Sequence, residues 1–285
     1  MRPSAFFDPR VAGQATSRRL VAGVGVRAIA ALHATTRALA TLGGAFGSVA
    51  APGSAARSVA RRVLLMQILF TGVQALGLVS VIALFLGATI IIQIGMMAPA
   101  TTGDILGRIL VAVVLRELAP LGTAIIVGGR SGTAIAAELG GMKVNSEILA
   151  LSSLGIDPSR YVVLPRLLGV VVSVLALMVY FGVVAIVGGY IVSLPIIPSS
   201  FGALRAGFSE ALGPADLLLF FGKGVGLGTI VGWASCHFGL QVSVSPTEVP
   251  QMASRAVVTS LLGCVVFNTA VTAAFYWAVG SPMRY

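Results

Sequence analysis

VLLMQILFTGVQALGLVSVIALFLGATIIIQIGMMAPATTG, residues 63–103, contains no Lys, Arg, Asp or Glu. About 20 apolar residues rising 1.5 Å each cross the ~30 Å hydrocarbon core of a bilayer, so this stretch is long enough to span one. Charge-free runs recur over residues 167–204, 224–247 and 256–283. Residues 105–129, apolar except for a few charges that include Arg116 and Glu117, bring the number of crossings to five. Composition agrees: 57% of the 285 residues are hydrophobic and 10% charged, against about 25% charged in soluble domains. The expected fold is an all-α integral membrane protein.

The formal charge of +10 invites a nucleic-acid reading, but its placement argues against one. Residues 1–62 hold nine arginines against the single Asp8, a net +8, which leaves only +2 for the other 223 residues. Such a bias marks the cytoplasmic side of a membrane protein. At 100° per residue, Arg19, Arg27, His33, Arg37 and Thr41 fall within an arc of about 120°, which predicts an interfacial amphipathic helix over residues 16–45. Residues 1–62 therefore read as a basic N-terminal region and 63–285 as the membrane domain. The first long apolar run is longer than a signal-peptide core and starts only after some 60 residues, so no cleavable signal is expected. The spans are placed at about 67–96, 105–129, 161–194, 217–239 and 256–279. Residues 97–102 lack Lys and Arg and are assigned outside, whereas Arg130, Lys143, Arg160 and Arg166 put the segment 130–158 inside. The expected orientation is N-terminus in, C-terminus out.

Within the second span the run Val114-Leu115-Arg116-Glu117-Leu118-Ala119-Pro120-Leu121 places two ionisable residues at bilayer depth. A charge there costs about 2.5–3.5 kcal/mol on insertion scales, so each must face protein, a cavity or a ligand. Adjacent residues point about 100° apart on a helix, so Arg116 and Glu117 need separate partners. Lys223 is the distant candidate: it pairs with Glu117 or stands beside Arg116 as a second cation for an anionic headgroup. Pro120, which cannot complete a helical hydrogen bond, is the candidate hinge. Gly224, Gly228 and Gly232 repeat every fourth residue and predict close helix packing. Lys223 lacks the glycine and Ser/Thr spacing of a phosphate-binding loop, and Cys236 and Cys264 show no metal-ligand spacing. No cofactor or metal is expected on this chain.

The segment from Gly129 to Pro158 reads as two short amphipathic helices broken at Gly140-Gly141, with Ser146 placed to cap the second and Asp157-Pro158 starting span 3. The run Arg116-Glu117-Leu118-Ala119-Pro120-Leu121, followed by Gly129-Arg130-Ser131-Gly132, Ala136-Ala137-Glu138-Leu139-Gly140, Met142-Lys143-Val144, Glu147-Ile148 and Asp157-Pro158, resembles the MlaE/YrbE family of ABC transporter permeases over roughly residues 60–280. The resemblance implies a phospholipid permease that dimerises and docks a separate ATPase, which binds ATP and Mg. It also implies work with an MCE-domain lipid-binding protein outside. It makes Arg116, Glu117 and Lys223 cavity positions and places Glu138, Lys143 and Glu147 on the ATPase-coupling segment. Leu149 stands where the family usually has an acidic residue, and residues 243–250 depart from its usual Gly-rich stretch. Two identical chains are expected to enclose an outward-opening cavity between spans 1, 2 and 5, with Arg116 meeting the lipid phosphate.

Two other readings are open to the residues. Gly129-Arg130-Ser131-Gly132 matches the short pattern of an intramembrane serine protease, with His237 as its base, although Ser131 is more simply a cap of the coupling helix and His237 an interfacial residue. An ion- or proton-coupled transporter could use Arg116, Glu117 and Lys223 as a relay, but no inverted repeat is evident.

Overall fold

The computed structural model describes residues 54–97, 102–195, 201–243 and 245–279. The helix expected over residues 16–45 lies outside them. Among the described residues there is no strand, and five helices are long and apolar enough to cross a membrane: Arg61–Met96, Ile105–Val144, Ser159–Ser193, Pro214–Gln241 and Pro246–Trp277, here spans 1 to 5. Two short helices lie between spans, α1 (Glu147–Ser153) after span 2 and α2 (Phe201–Ala211) after span 3. Successive spans alternate in direction, which puts α1 and the connection into span 5 at one end of the bundle and α2 at the other.

In lipid the apolar surface of a helix gains little by leaving one hydrocarbon for another, so association depends on close packing and on polar links. Glycines supply the first. Gly224, Gly228 and Gly232 of span 4 pack against Met178, Val171 and Leu167 of span 3, and a Cβ at Gly87 of span 1 would fall 1.9 Å from Ala185 O of span 3. At the far end, α2 lies so close to the start of span 2 that a Cβ at Gly107 would come 2.4 Å from Phe208 N. Span 4 is the most enclosed of the five and span 5 the least.

Three local expectations are corrected. The helix that carries span 2 does not end near 129. Its helix continues through Gly140-Gly141 to Val144, because Gly140 is a packing contact rather than a break: a Cβ there would meet Val242 Cγ2 at 2.9 Å. The turn comes at Asn145-Ser146 instead, where Ser146 is left-handed (φ 59°) and its side chain makes no cap bond; its carbonyl accepts from Ala150 N. Ser131, inside the continuous helix, caps nothing. Asp157 does start span 3, its Oδ1 accepting from Ser159 N at 2.9 Å.

Span 1 is interrupted, which its hydropathy does not announce. A helix over Ser54–Thr71 gives way at Gly72 to a tight turn, Val73–Ala75, before the helix resumes at Leu76. Arg130 of span 2 serves the interruption, donating to Phe70 O (3.3 Å) and Gln74 Oε1 (2.9 Å) with its guanidinium over the Phe70 ring. Span 2 itself widens to π-type turns over Val111–Leu118 and Gly128–Gly132, the irregularity often found where a helix carries function.

Candidate functional site

Pro120 organises the centre of span 2. A proline has no N–H to give the carbonyl four residues back, which here is that of Arg116, so one backbone acceptor at membrane depth loses its helical partner. Lys223 of span 4 supplies the missing donor: Nζ lies 2.7 Å from Arg116 O, 2.7 Å from Thr272 Oγ1 and 3.0 Å from Glu117 Oε1. These three contacts match the three protons of the ammonium, and the side chain is fully enclosed. Lys223 is thus the partner of Glu117 and of the backbone, and no face of it is open to a headgroup.

Glu117 is held from the other side by span 5. Asn268 Nδ2 donates to Oε2 at 2.6 Å, and Thr272 Oγ1 lies 2.8 Å from Oε1. Arg116 turns the other way around span 2, as the 100° spacing requires. Its Nε lies 2.8 Å from Asp216 Oδ1, its Nη1 donates to Tyr276 Oη at 3.3 Å, and its guanidinium sits 5.7 Å from the centre of the Phe275 ring. Asp216 belongs to the first turn of span 4, where its Oδ2 also accepts from Gly213 N at 3.0 Å. One carboxylate therefore closes the start of a helix and pairs with the half-buried arginine.

The four charges sum to zero, and every one has a partner on another span. The structure brings Arg116, Glu117 and Lys223 together and adds four residues that the sequence reading did not single out: Asp216, Asn268, Thr272 and Tyr276. Their signal was present as periodicity. Asn268, Thr272 and Tyr276 stand at i, i+4 and i+8 on one face of span 5, and Asp216 and Lys223 are seven residues apart on one face of span 4.

Beside Arg116 opens an apolar cavity of about 400 Å³. Spans 2, 3 and 4 and α2 line it, with Arg116, Asp216 and Arg205 its charged members. This single-chain cavity lies among spans 2, 3 and 4 and α2, not between spans 1, 2 and 5 where the shared cavity of two copies is expected.

Glu138, Lys143 and Glu147 lie at the other end, Glu138 being 21 residues, or about 31 Å of helix, beyond Glu117. Two of them make tertiary ties. Glu138 Oε1 pairs with Arg166 Nη2 of span 3 at 2.8 Å, and Lys143 Nζ donates to Leu240 O of span 4. Glu147 accepts from neighbouring Asn145 Nδ2 at 3.4 Å and otherwise faces outward on α1, which has no buried residue. Leu149 and Leu154 beside it are exposed apolar side chains, an arrangement suited to covering by another molecule.

The protease arrangement is not assembled. Ser131 is fully buried and its hydroxyl has no partner, whereas His237 is exposed, stacked on Trp233 and 2.8 Å from Gln241 Nε2. A nucleophile without its base within hydrogen-bond reach is not activated. Among the described residues no group of three or more His, Cys, Asp or Glu side chains could hold a metal ion.

A family model described as Permease MlaE matches residues 64–274. A probable ABC transporter permease protein of Synechocystis is 32% identical over 216 residues, 73% of this chain and 80% of its own. The intermembrane phospholipid transport system permease protein MlaE of Haemophilus influenzae is 28% identical over 218 residues, 76% and 84% of the two chains. A probable ABC transporter permease protein of Rickettsia conorii is 28% identical over 216 residues, 75% and 83%.

Proposed function

This chain belongs to the MlaE permease family, and from that premise we propose that it is the membrane subunit of an ABC-type transporter that moves phospholipid between the bacterial inner membrane and the cell envelope. Its N-terminus is cytoplasmic and its C-terminus periplasmic. The observation that carries the reading is the neutral four-charge cluster of spans 2, 4 and 5, set at bilayer depth with Arg116 opening onto an apolar cavity. A headgroup phosphate needs a cation, acyl chains need an apolar wall, and the two stand side by side here. The H. influenzae relative, named for phospholipid transport, supports the same substrate.

The motor is a separate ATPase that binds ATP and Mg and docks at the α1 end, where Glu147, Leu149 and Leu154 point outward. A second copy of the chain covers the open face of span 5, and an MCE-domain protein receives or delivers lipid at the α2 end. In this scheme Arg116 holds the phosphate, Lys223 and Asn268 fix the Glu117 side chain beside it, and nucleotide-driven movement at the α1 end changes the cavity's affinity for lipid, since only differential binding between two states moves a ligand.

The test is mass spectrometry of the intact purified assembly, followed by reconstitution. A co-purifying ATPase, bound phospholipid and ATP-dependent lipid transfer are the expected results. Transport by the isolated chain under an ion gradient, with no ATPase attached, overturns the proposal in favour of a secondary transporter.

A further inference from the structure

The interruption of span 1 at Gly72 has two sides. Toward span 2 it is served by Arg130, which donates to Phe70 O and Gln74 Oε1. Toward span 3 it meets polar side chains of both helices. Gln67 of span 1 lies on Gly169 of span 3, where a Cβ would come 2.6 Å from the glutamine Cγ, and spans 1 and 3 run in the same direction. One turn further along each helix stand Thr71 and Ser173, which are therefore at the same level. A Cβ at Gly72 would lie 3.5 Å from Ser173 Oγ, so the serine hydroxyl stands against the break itself.

Ser173 is fully buried, and its hydroxyl finds no hydrogen-bond partner in the protein. A buried helical hydroxyl commonly bonds the carbonyl one turn back, as Ser235 does to Val231 O at 2.8 Å and Thr229 to Val225 O at 2.7 Å. Ser173 forgoes that bond beside a carbonyl that has lost its own donor: Ala75 N, four residues after Thr71, donates to Gly72 O at 3.2 Å instead. Thr71 is fully buried as well, and its Oγ1, which accepts from Gln67 Nε2 at 2.6 Å, still has a proton to give. Polar groups left unmet at membrane depth are costly, so these three call for a common partner. That partner must both donate and accept. An anion offers nothing to a carbonyl, and a cation would stand across the break from the Arg130 guanidinium in a medium of low dielectric. Water does both, and two to four polar partners are what a buried water requires.

We propose that the break in span 1 binds a water molecule, held between Ser173 Oγ and the carbonyl and hydroxyl of Thr71. Water inserted into a helical ladder is a known cause of a bend, and it re-satisfies backbone groups that a broken membrane helix sets free. With Arg130 on one side and water on the other, the two halves of span 1 are joined by bonds that can be remade, and Gly72–Ala75 is a hinge that turns without stranding a polar group. The site lies apart from the Arg116 cavity and involves neither lipid nor nucleotide.

The experiment uses the complete assembly in bilayer discs without nucleotide. A cryo-EM map fine enough to resolve ordered water should show a discrete peak about 2.7–3.2 Å from both Ser173 Oγ and Thr71 O. No peak, with Ser173 turned back onto Gly169 O, overturns the proposal. So does a peak that strengthens when rubidium replaces sodium in the buffer, because that marks a cation. Hydrogen–deuterium exchange gives a second reading. Ser173→Ala removes the anchor and should speed exchange of the amides of residues 73–76 about three- to tenfold, the value of one hydrogen bond. Ser235→Ala, which removes a hydroxyl bonded to its own helix, should leave those amides unchanged. Exchange that is slowed by Ser173→Ala, or indifferent to it, means that the hydroxyl held nothing and overturns the proposal. Should Ser173→Ala fail to assemble, the map of the unaltered protein decides. Neither reading depends on lipid transfer, so failure here leaves the transport proposal untouched, and a chain that transports nothing still holds the water if the site exists.

Discussion

Arg116–Asp216 and Arg166–Glu138 are ion pairs of the same 2.8 Å length at opposite ends of the bundle, yet the Asp216 side chain is 9% exposed and that of Glu138 61%. Around Asp216 both charged heads have left water, and the second pair, Glu117–Lys223, is stitched to the first through the carbonyl of Arg116. Spans 2, 4 and 5 must all be in place for any of these groups to be satisfied. Around Glu138 only the arginine is enclosed, and the carboxylate can exchange its partner for water at little expense. Burying a pair contributes little net stability but makes losing one partner severe, whereas a pair with a wet member is worth about 0–1 kcal/mol. The polar cluster therefore behaves as a rigid clamp, and the α1 end as a looser latch.

The contrast can be broken most directly at Lys223. Lys223→Met leaves the Glu117 carboxylate without its countercharge and the Arg116 carbonyl without a donor, and should lower the unfolding free energy in detergent by about 3–5 kcal/mol. Adding Glu117→Gln to Lys223→Met removes the stranded charge and should recover much of the loss in the same thermal melt; no recovery would mean that the pair is not the origin of the effect. Arg116→Ala should reduce ATP-dependent lipid transfer by about tenfold or more, the value of a charge-assisted contact, with the ATPase still co-purifying. Unchanged transfer would take Arg116 out of the mechanism. At the latch, Glu138→Ala should cost only about 1 kcal/mol, while Glu147→Arg should weaken ATPase co-purification without moving the melt. The smallest effect is at the turn: Ser146→Val, forced into φ 59°, should cost about 1 kcal/mol, and Ser146→Gly close to nothing.

Much of the architecture was legible before any coordinates, and the reason differs from element to element. The five crossings follow from residue-by-residue hydropathy, a property summed along the chain. Their inner boundaries moved wherever tertiary packing overrode a local rule: Gly140-Gly141 looks like a helix break until Val242 and Val249 are seen against it. The interruption at Gly72 was invisible because its carbonyl at Phe70 is satisfied by Arg130, 60 residues away. For the site, Arg116 and Glu117 stood out because ionisable groups at bilayer depth are rare. Asp216 did not, since it lies close enough to the end of an apolar run to pass for an interfacial residue.

Chain order alone was enough to decide that this protein crosses a membrane five times as helices, and that two neighbouring charges within it must seek different partners, because hydropathy and the 100° turn between residues are local quantities. Which partners they found, Asp216 and Tyr276 for one and Lys223, Asn268 and Thr272 for the other, was decided by how spans 2, 4 and 5 come together. The same is true of the cavity beside Arg116, whose walls come from four helices. A cavity and a matched set of charges are properties of distances between segments remote in sequence, and those distances are set only when the helices pack.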